Sequence, residues 1–327
     1  MSTSDPVPVV DISPFLDGSP DGKQAVARGI AAACEESGFF CITGHGVDEA
    51  LIARTRQAAE HFFDQPVEQK RKILRAEDRI GCGYYPVADR SLAHTLGVKT
   101  PPDLQEAWVM APPDTPDDPY YHGETARYFF GTNHWPEGMP GFRETMSDYF
   151  RTLTGLGKRM MGLFALALEL EEDYFADKID RAAGGLRLLH YPPQSVAAEP
   201  GQLRAGAHTD YGTMTILRGD DVPGTLQIKH PSAGWIDIRP PANAYVCNLG
   251  DAMARWTGGR WASTLHRVGN PPSPGGSKGR ISLVFFNQPN YDAVLGGIVG
   301  TSDGAVTLAE HYIEKIHRAV SAVPPAA

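Results

Sequence analysis

Ala207-His208-Thr209-Asp210-Tyr211-Gly212 sets two potential metal ligands two residues apart. Along an extended strand the side chains at i and i+2 leave from one face, so His208 and Asp210 can reach a single ion while Thr209 points away. A third arm lies downstream, His266 in Ser263-Thr264-Leu265-His266-Arg267-Val268. Two histidines and one carboxylate on one face of a metal leave the opposite positions open, the arrangement that suits non-haem iron(II) oxygenation. The same donors also bind zinc, so a zinc hydrolase or a cupin-type isomerase competes with this reading, as does a binding module without catalysis.

Arg280-Ile281-Ser282, which opens the apolar run Leu283-Val284-Phe285-Phe286, separates these readings. Arg280 and Ser282 share a strand face. A guanidinium fork meets a carboxylate in two parallel hydrogen bonds, and a hydroxyl two residues on can donate a third. Neither zinc hydrolysis nor plain ligand binding demands such a dicarboxylate clamp at a fixed step beyond the last histidine. Carried on at period two, the same face presents Val284 and Phe286, so a cavity that receives the clamp also receives the ring of Phe286.

Working outward, Gly184-Gly185 introduces a strand, and from there to Phe286 strands and turns alternate without a convincing helix. The pattern predicts a mainly β fold with flanking helices: a double-stranded β-helix, or jelly-roll, core that closes its sheets around a cavity. The part before it is helix-rich. A valine-rich strand at 7–11 precedes a helix over about 22–37, with Gly38 as its left-handed stop, and then a strand at 39–43. Asp48 caps a helix to about Phe63, and Pro66 opens another short one. Residues 111–140 read as a long irregular connection. Apolar residues from Phe142 to Ala167 keep helical spacing and predict the longest helix, followed by a short one near 171–181. A helix over about 308–320 ends the pattern, and 323–327 read as a frayed tail. The expected organisation is one domain over 1–327, divided into 1–183, a metal-bearing core at 184–290, and a closing segment at 291–327.

The 327 residues, 42% of them hydrophobic, suffice for one large core. A net charge of −9 spread without long runs argues against a nucleic-acid or anionic-membrane surface and for a small-molecule partner. No eighteen-residue apolar stretch and no basic-then-apolar leader occurs, so a cytoplasmic protein is expected. Cys34, Cys41, Cys82 and Cys247 show no paired spacing and fit reduced thiols.

Taken together, Val7-Pro8-Val9-Val10-Asp11-Ile12, the run from Glu36 to Val47, Arg187-Leu188-Leu189-His190-Tyr191-Pro192-Pro193, His208-Thr209-Asp210-Tyr211-Gly212, Asn248-Leu249-Gly250-Asp251, Ser263 to Val268 and Arg280-Ile281-Ser282 follow one order. In that order they resemble the isopenicillin N synthase-like family of iron(II)- and 2-oxoglutarate-dependent dioxygenases, nearly end to end. The resemblance implies iron(II) on His208, Asp210 and His266, with 2-oxoglutarate and O2 as co-substrates. It implies that Arg280 and Ser282 hold the far carboxylate of 2-oxoglutarate and that Tyr191 hydrogen-bonds the same molecule. The implied reaction oxidises, by default hydroxylates, a C–H bond of a small metabolite and releases succinate and CO2. Isopenicillin N synthase itself and aminocyclopropane-carboxylate oxidase use the same triad without 2-oxoglutarate, which leaves an oxidase or oxidative cyclase as the alternative.

By the same resemblance, Arg187, Leu189 and Tyr191 face inward. Many plant members carry asparagine where this chain has Leu189, which makes the local pocket more apolar. Tyr84 or Tyr85, in the glycine-rich segment 81–86, is placed near the mouth of the site, and with Leu189 and Phe286 would contact a small, partly apolar substrate. Arg187 has two readings, a pair with an acid of the domain, which is preferred, or a contact with a substrate carboxylate. His45, His190 and His230 are read as structural; Asn248 and Asp251 are candidates to orient the metal ligands, with a turn-forming role preferred.

Overall fold

Local chemistry sets the helices. In a computed structural model that describes residues 7–76, 81–220, 222, 226–271, 279–298 and 304–321, Ser13–Leu16 forms α1 and Pro20–Glu36 forms α2, whose capping Ser19 hydroxyl accepts from the Gly22 amide at 3.1 Å. Val26, Ile30, Ala33 and Cys34 make its buried stripe. Gly38 ends the turn at φ +67°, where a Cβ would stand 2.2 Å from the Ala262 carbonyl, so both conformation and space require glycine. Asp48 caps α3 (Glu49–Phe63) on the Ala50 amide, and Pro66 precedes α4 (Val67–Arg71). The longest helix, α5, runs Phe142–Ala167 and buries Met146, Phe150, Leu153, Met160 and Phe164. Helices α6 (Asp251–Trp256) and α7 (Leu308–Ser321) follow.

The strands are β1 (Val9–Asp11), β2 (Phe39–Thr43), β3 (Gly83–Tyr85), β4 (Glu106–Met110), β5 (Gly185–Tyr191), β6 (Ala205–His208), β7 (Met214–Gly219), β8 (Leu226–His230), β9 (Gly234–Asp237), β10 (Tyr245–Leu249), β11 (His266–Val268), β12 (Arg280–Asn287), β13 (Val294–Leu295) and β14 (Val306–Thr307). Eight form the major sheet in the order β1-β2-β10-β7-β12-β5-β4-β3, and four form a minor sheet in the order β6-β11-β8-β9. All pairs in these two sheets are antiparallel except β1 with β2.

Strand alternation gives the major sheet two different faces. On β12, Ile281, Leu283 and Phe285 join the core shared with α2, α3 and α5, and Phe285 meets Phe150 edge-on at 5.3 Å between centroids. On β5, Leu186 and Leu188 do the same. The opposite face, with Tyr191, Leu189 and Leu217, packs with Ile228 and Val268 of the minor sheet in a second core. The cavity opens between the sheets, lined from β5, β7, β10, β11 and β12. This is the expected jelly-roll.

Three expectations need correction. The segment 171–181 holds only a 3-10 turn at Ala176–Lys178. The stretch expected to lack helices contains α6, which starts directly after Gly250 and buries Ala252, Met253 and Trp256. The glycine-rich segment 81–86, to which the sequence assigns no strand, contains β3, paired with β4, a strand that periodicity did not announce. The expected 323–327 tail lies outside the described residues. Among the described residues no helix is long and apolar enough to cross a membrane.

Candidate active site

His208 closes β6 and His266 opens β11, and the two residues are direct partners across the minor sheet. Their rings lie 4.3 Å apart between centroids. Strand β6 ends at His208, so Asp210 stands in the turn beyond it, held by tertiary contacts instead of strand alternation. Its carbonyl accepts the Asp251 amide at 2.8 Å, and its Oδ2 accepts the Thr215 hydroxyl at 2.5 Å and the Asn248 amide at 2.7 Å. Oδ1 is thereby left to point at both histidines, 3.8 Å from Nε2 of each.

The Nδ1 atoms of both rings sit within hydrogen-bond reach of backbone carbonyls, Gly206 at 2.8 Å and Thr264 at 3.1 Å. A proton donated there leaves both Nε2 lone pairs facing the carboxylate, the tautomer that metal ligation needs. Burial, followed by the neighbouring His266, holds the pKa of His208 well below its ordinary value. Burial alone would raise Asp210, but His266, His208 and the Asn248 and Thr215 bonds outweigh it and keep the group ionised. Two imidazole nitrogens and a carboxylate oxygen, all three donor atoms within 4.8 Å of one another, fit a divalent cation.

The clamp residues stand on β12, opposite Tyr191 and Leu189 of the cavity wall. Arg280 is 4% exposed and Ser282 fully buried, yet Nε and Nη1 of the guanidinium and the hydroxyl of Ser282 have no partner among the described residues. The niche persists because Gly219 borders it, where a Cβ would stand 2.7 Å from Nη2 and 3.2 Å from the hydroxyl. Unsatisfied buried donors of this kind mark a site that a ligand completes. Tyr191, paired with Arg280 across β5 and β12, lies with its ring centroid 5.6 Å from the guanidinium carbon and lines the cavity. Burial pushes its pKa up to about 12, so its hydroxyl is a donor. The donor set and the orphaned niche thus fit iron(II) and a dicarboxylate.

Leu189 and Phe286 line the cavity, and so does Tyr85. Tyr84 does not. One residue earlier on β3 it faces the opposite side, where its hydroxyl donates to Glu106 at 2.6 Å and its ring packs against Phe62. Asn248 is not a turn residue but a strand residue bonded to Asp210. Asp251 heads α6, where burial would raise its pKa, but His311 and Lys315 hold it well below the usual range. Arg187 lines the cavity and forms no ion pair with an acid among the described residues, against the preferred expectation. His45, bonded to the Val47 amide and the Asn243 carbonyl, and His190, bonded to Glu106, stand in structural networks. Sequence reasoning missed Thr215, Arg90, Gln288 and the α7 residues Tyr312 and Ile316, all of which line the cavity. Only Thr215 left a trace, a polar side chain between the apolar Met214 and Ile216.

Residues 7–138 match the N-terminal family of non-haem dioxygenases in morphine synthesis, and residues 183–289 match the 2OG-Fe(II) oxygenase superfamily. A 2-oxoglutarate-Fe(II) type oxidoreductase of Emericella nidulans, hxnY, is 35% identical over 88% of this chain and 80% of its own length. A homoarginine-6-hydroxylase of Glycine max is 33% identical over 88% of this chain and 87% of its own. Among solved structures, a full-length Neurospora crassa protein in complex with alpha-KG and thymine superposes with a TM-score of 0.81 at 27% identity, covering 95% of this chain and 96% of that one. With its jelly-roll and its His-Asp-His cluster, the chain belongs to the iron(II)- and 2-oxoglutarate-dependent dioxygenases, oxidoreductases that use O2 as co-substrate.

Proposed function

We propose that His208, Asp210 and His266 hold the iron, that Arg280, Ser282 and Tyr191 hold 2-oxoglutarate, and that a small molecule enters beside Tyr85, Leu189 and Phe286 to be hydroxylated. The observation that carries this reading is the orphaned guanidinium and hydroxyl of Arg280 and Ser282, on one strand in register with the cavity residues Tyr191 and Leu189. The fork of Arg280 accounts for the far carboxylate of the co-substrate, and Ser282 adds a donor. Thr215 and Asn248 hold one oxygen of Asp210, which leaves the other as a single-atom ligand. The iron supplies the oxidising chemistry when bound, with 2-oxoglutarate converted to succinate and CO2. The protein's share is to fix the geometry and to keep water from the reacting C–H bond behind Leu189, Val246, Val268 and Phe286.

The chain acts as one oxygenase domain, with 1–183 bracing the core at 184–290 and 291–327 closing it. We place it in the cytoplasm because none of its four cysteines forms a disulfide. A screen of small metabolites with iron(II), ascorbate and 2-oxoglutarate, read as succinate release, tests the proposal. Normal turnover without any 2-oxoacid would replace it with an oxidase.

A further inference from the structure

Two guanidiniums on the cavity wall have no role in the chemistry above. Arg187 stands on β5, in register between Val109 of β4 and Val284 of β12, on the face that carries Leu189 and Tyr191. Arg90 reaches the same cavity from the loop after β3. Their guanidinium carbons lie 5.1 and 5.6 Å from the centroid of one ring, that of Tyr85. Neither side chain makes a hydrogen bond or ion pair among the described residues, and the buried Nε of Arg187 has no acceptor. Other arginines of the molecule are paired, Arg56 with Asp220, Arg75 with Asp89 and Arg151 with Asp114.

No acid of the cavity is available to them. Asp210 is the only carboxylate among the described lining residues and is committed to Thr215, Asn248 and the histidines. Asp103, close enough to feel the charge of Arg90, accepts the amides of Gly206 and Leu92, each at 2.9 Å. Arg90 is half-buried, and its place on the cavity wall beside the Tyr85 ring is what puts its charge inside the chamber. Two cations without an ion pair among the described residues, beside the apolar Val109, Phe129, Val284 and Phe286, are unfavourable until an anion arrives. A net charge of −9 for the whole chain makes this local excess a built feature and not a reflection of composition.

We propose that this cavity selects a small carboxylic acid with an apolar or aromatic body, the carboxylate held by Arg90 and Arg187 and the body laid against Val284 and Phe286. The inference rests on the cavity being the substrate site of the oxygenase, and it concerns a carboxylate other than the one assigned to Arg280 and Ser282. Protein loaded with manganese(II) and 2-oxoglutarate, which cannot turn over, is titrated calorimetrically with phenylacetate, cinnamate and hexanoate and with their neutral amides. The acids should bind at least about tenfold more tightly than the amides. Arg187→Gln and Arg90→Gln should each weaken the acids about tenfold or more while the Kd values of the amides and of 2-oxoglutarate stay unchanged, with Arg187→Lys intermediate. Melting curves confirm that the variants fold. Acids that bind no better than amides, acids that do not bind, or variants with undiminished acid affinity overturn the inference alone. Failure of 2-oxoglutarate itself to bind removes the underlying reading as well.

Discussion

Replacing Arg280 with methionine should move stability and co-substrate affinity in opposite directions. Arg280 is 4% exposed, and two of its nitrogens lack partners among the described residues. The acid that acts on it, Asp220, is already forked by Arg56 at 2.5 and 3.2 Å. A buried charge without a partner costs folding free energy, and an unbranched apolar chain of similar length removes that cost, so the ligand-free variant should be more stable by about 1–3 kcal/mol. At about 2–4 °C per kcal/mol for a chain of this class, the melting point rises by roughly 2–12 °C. The same substitution deletes two hydrogen bonds to a carboxylate, each worth about 1.5–3 kcal/mol, which weakens 2-oxoglutarate by roughly a hundredfold to ten-thousandfold. Melting curves of the manganese-loaded protein with and without 2-oxoglutarate read both effects: the wild type starts lower and climbs, the variant starts higher and stays flat. A variant that melts below the ligand-free wild type, or keeps its 2-oxoglutarate affinity within about threefold, would refute the reasoning.

His208→Ala, Asp210→Ala and His266→Ala should each abolish iron binding and turnover with an unchanged circular dichroism spectrum; metal analysis showing stoichiometric iron in any of them removes the assignment. Asn248→Ala and Thr215→Val each free one lone pair of Asp210 and should weaken iron about 10- to 100-fold without unfolding the protein, as measured by metal competition. Phe286→Ala should alter substrate choice at a stability loss well under the roughly 3–5 kcal/mol of a core phenylalanine, and a full loss with unchanged selectivity would place the ring in the core. In metal-free protein the depressed His208 makes the unfolded chain bind the extra proton below about pH 6.5, so stability should fall as pH drops through that value. The slope is at most about 1.4 kcal/mol per pH unit, urea midpoints at two pH values measure it, and His208→Leu should flatten it.

Short-range physics was legible in the chain. The caps Ser19 and Asp48, the stop at Gly38 and the 3.6-residue stripe of α5 are local, and the strand faces of β5 and β12 follow from period two alone. What escaped was set by distance in sequence. Strand β4 carries Glu106 at its start, a residue that reads as a surface charge until Lys70, Tyr84 and His190 converge on it at 2.8, 2.6 and 2.7 Å. Asp210 illustrates the same limit: alternation alone would orient it, but the strand has ended, and Asn248, far along the chain on β10, does the orienting. Arg90 sits in an aperiodic stretch where nothing nearby separates a cavity arginine from a solvated one.

Helix α7 gives the molecule an order of assembly. Every strand that bears a triad or clamp residue leaves the ribosome before Leu308, so the ligand cluster can form around the β-rich core alone. The chamber cannot. Tyr312 and Ile316, which close its wall, and Lys315 and His311, which fasten the helix to Asp251 at the head of α6, are translated afterwards. At about 5–20 residues per second, a few seconds separate a chain that can take up metal from one that can shelter a substrate. In that interval a loaded centre would face water, and the late arrival of α7 favours loading after the chamber has closed.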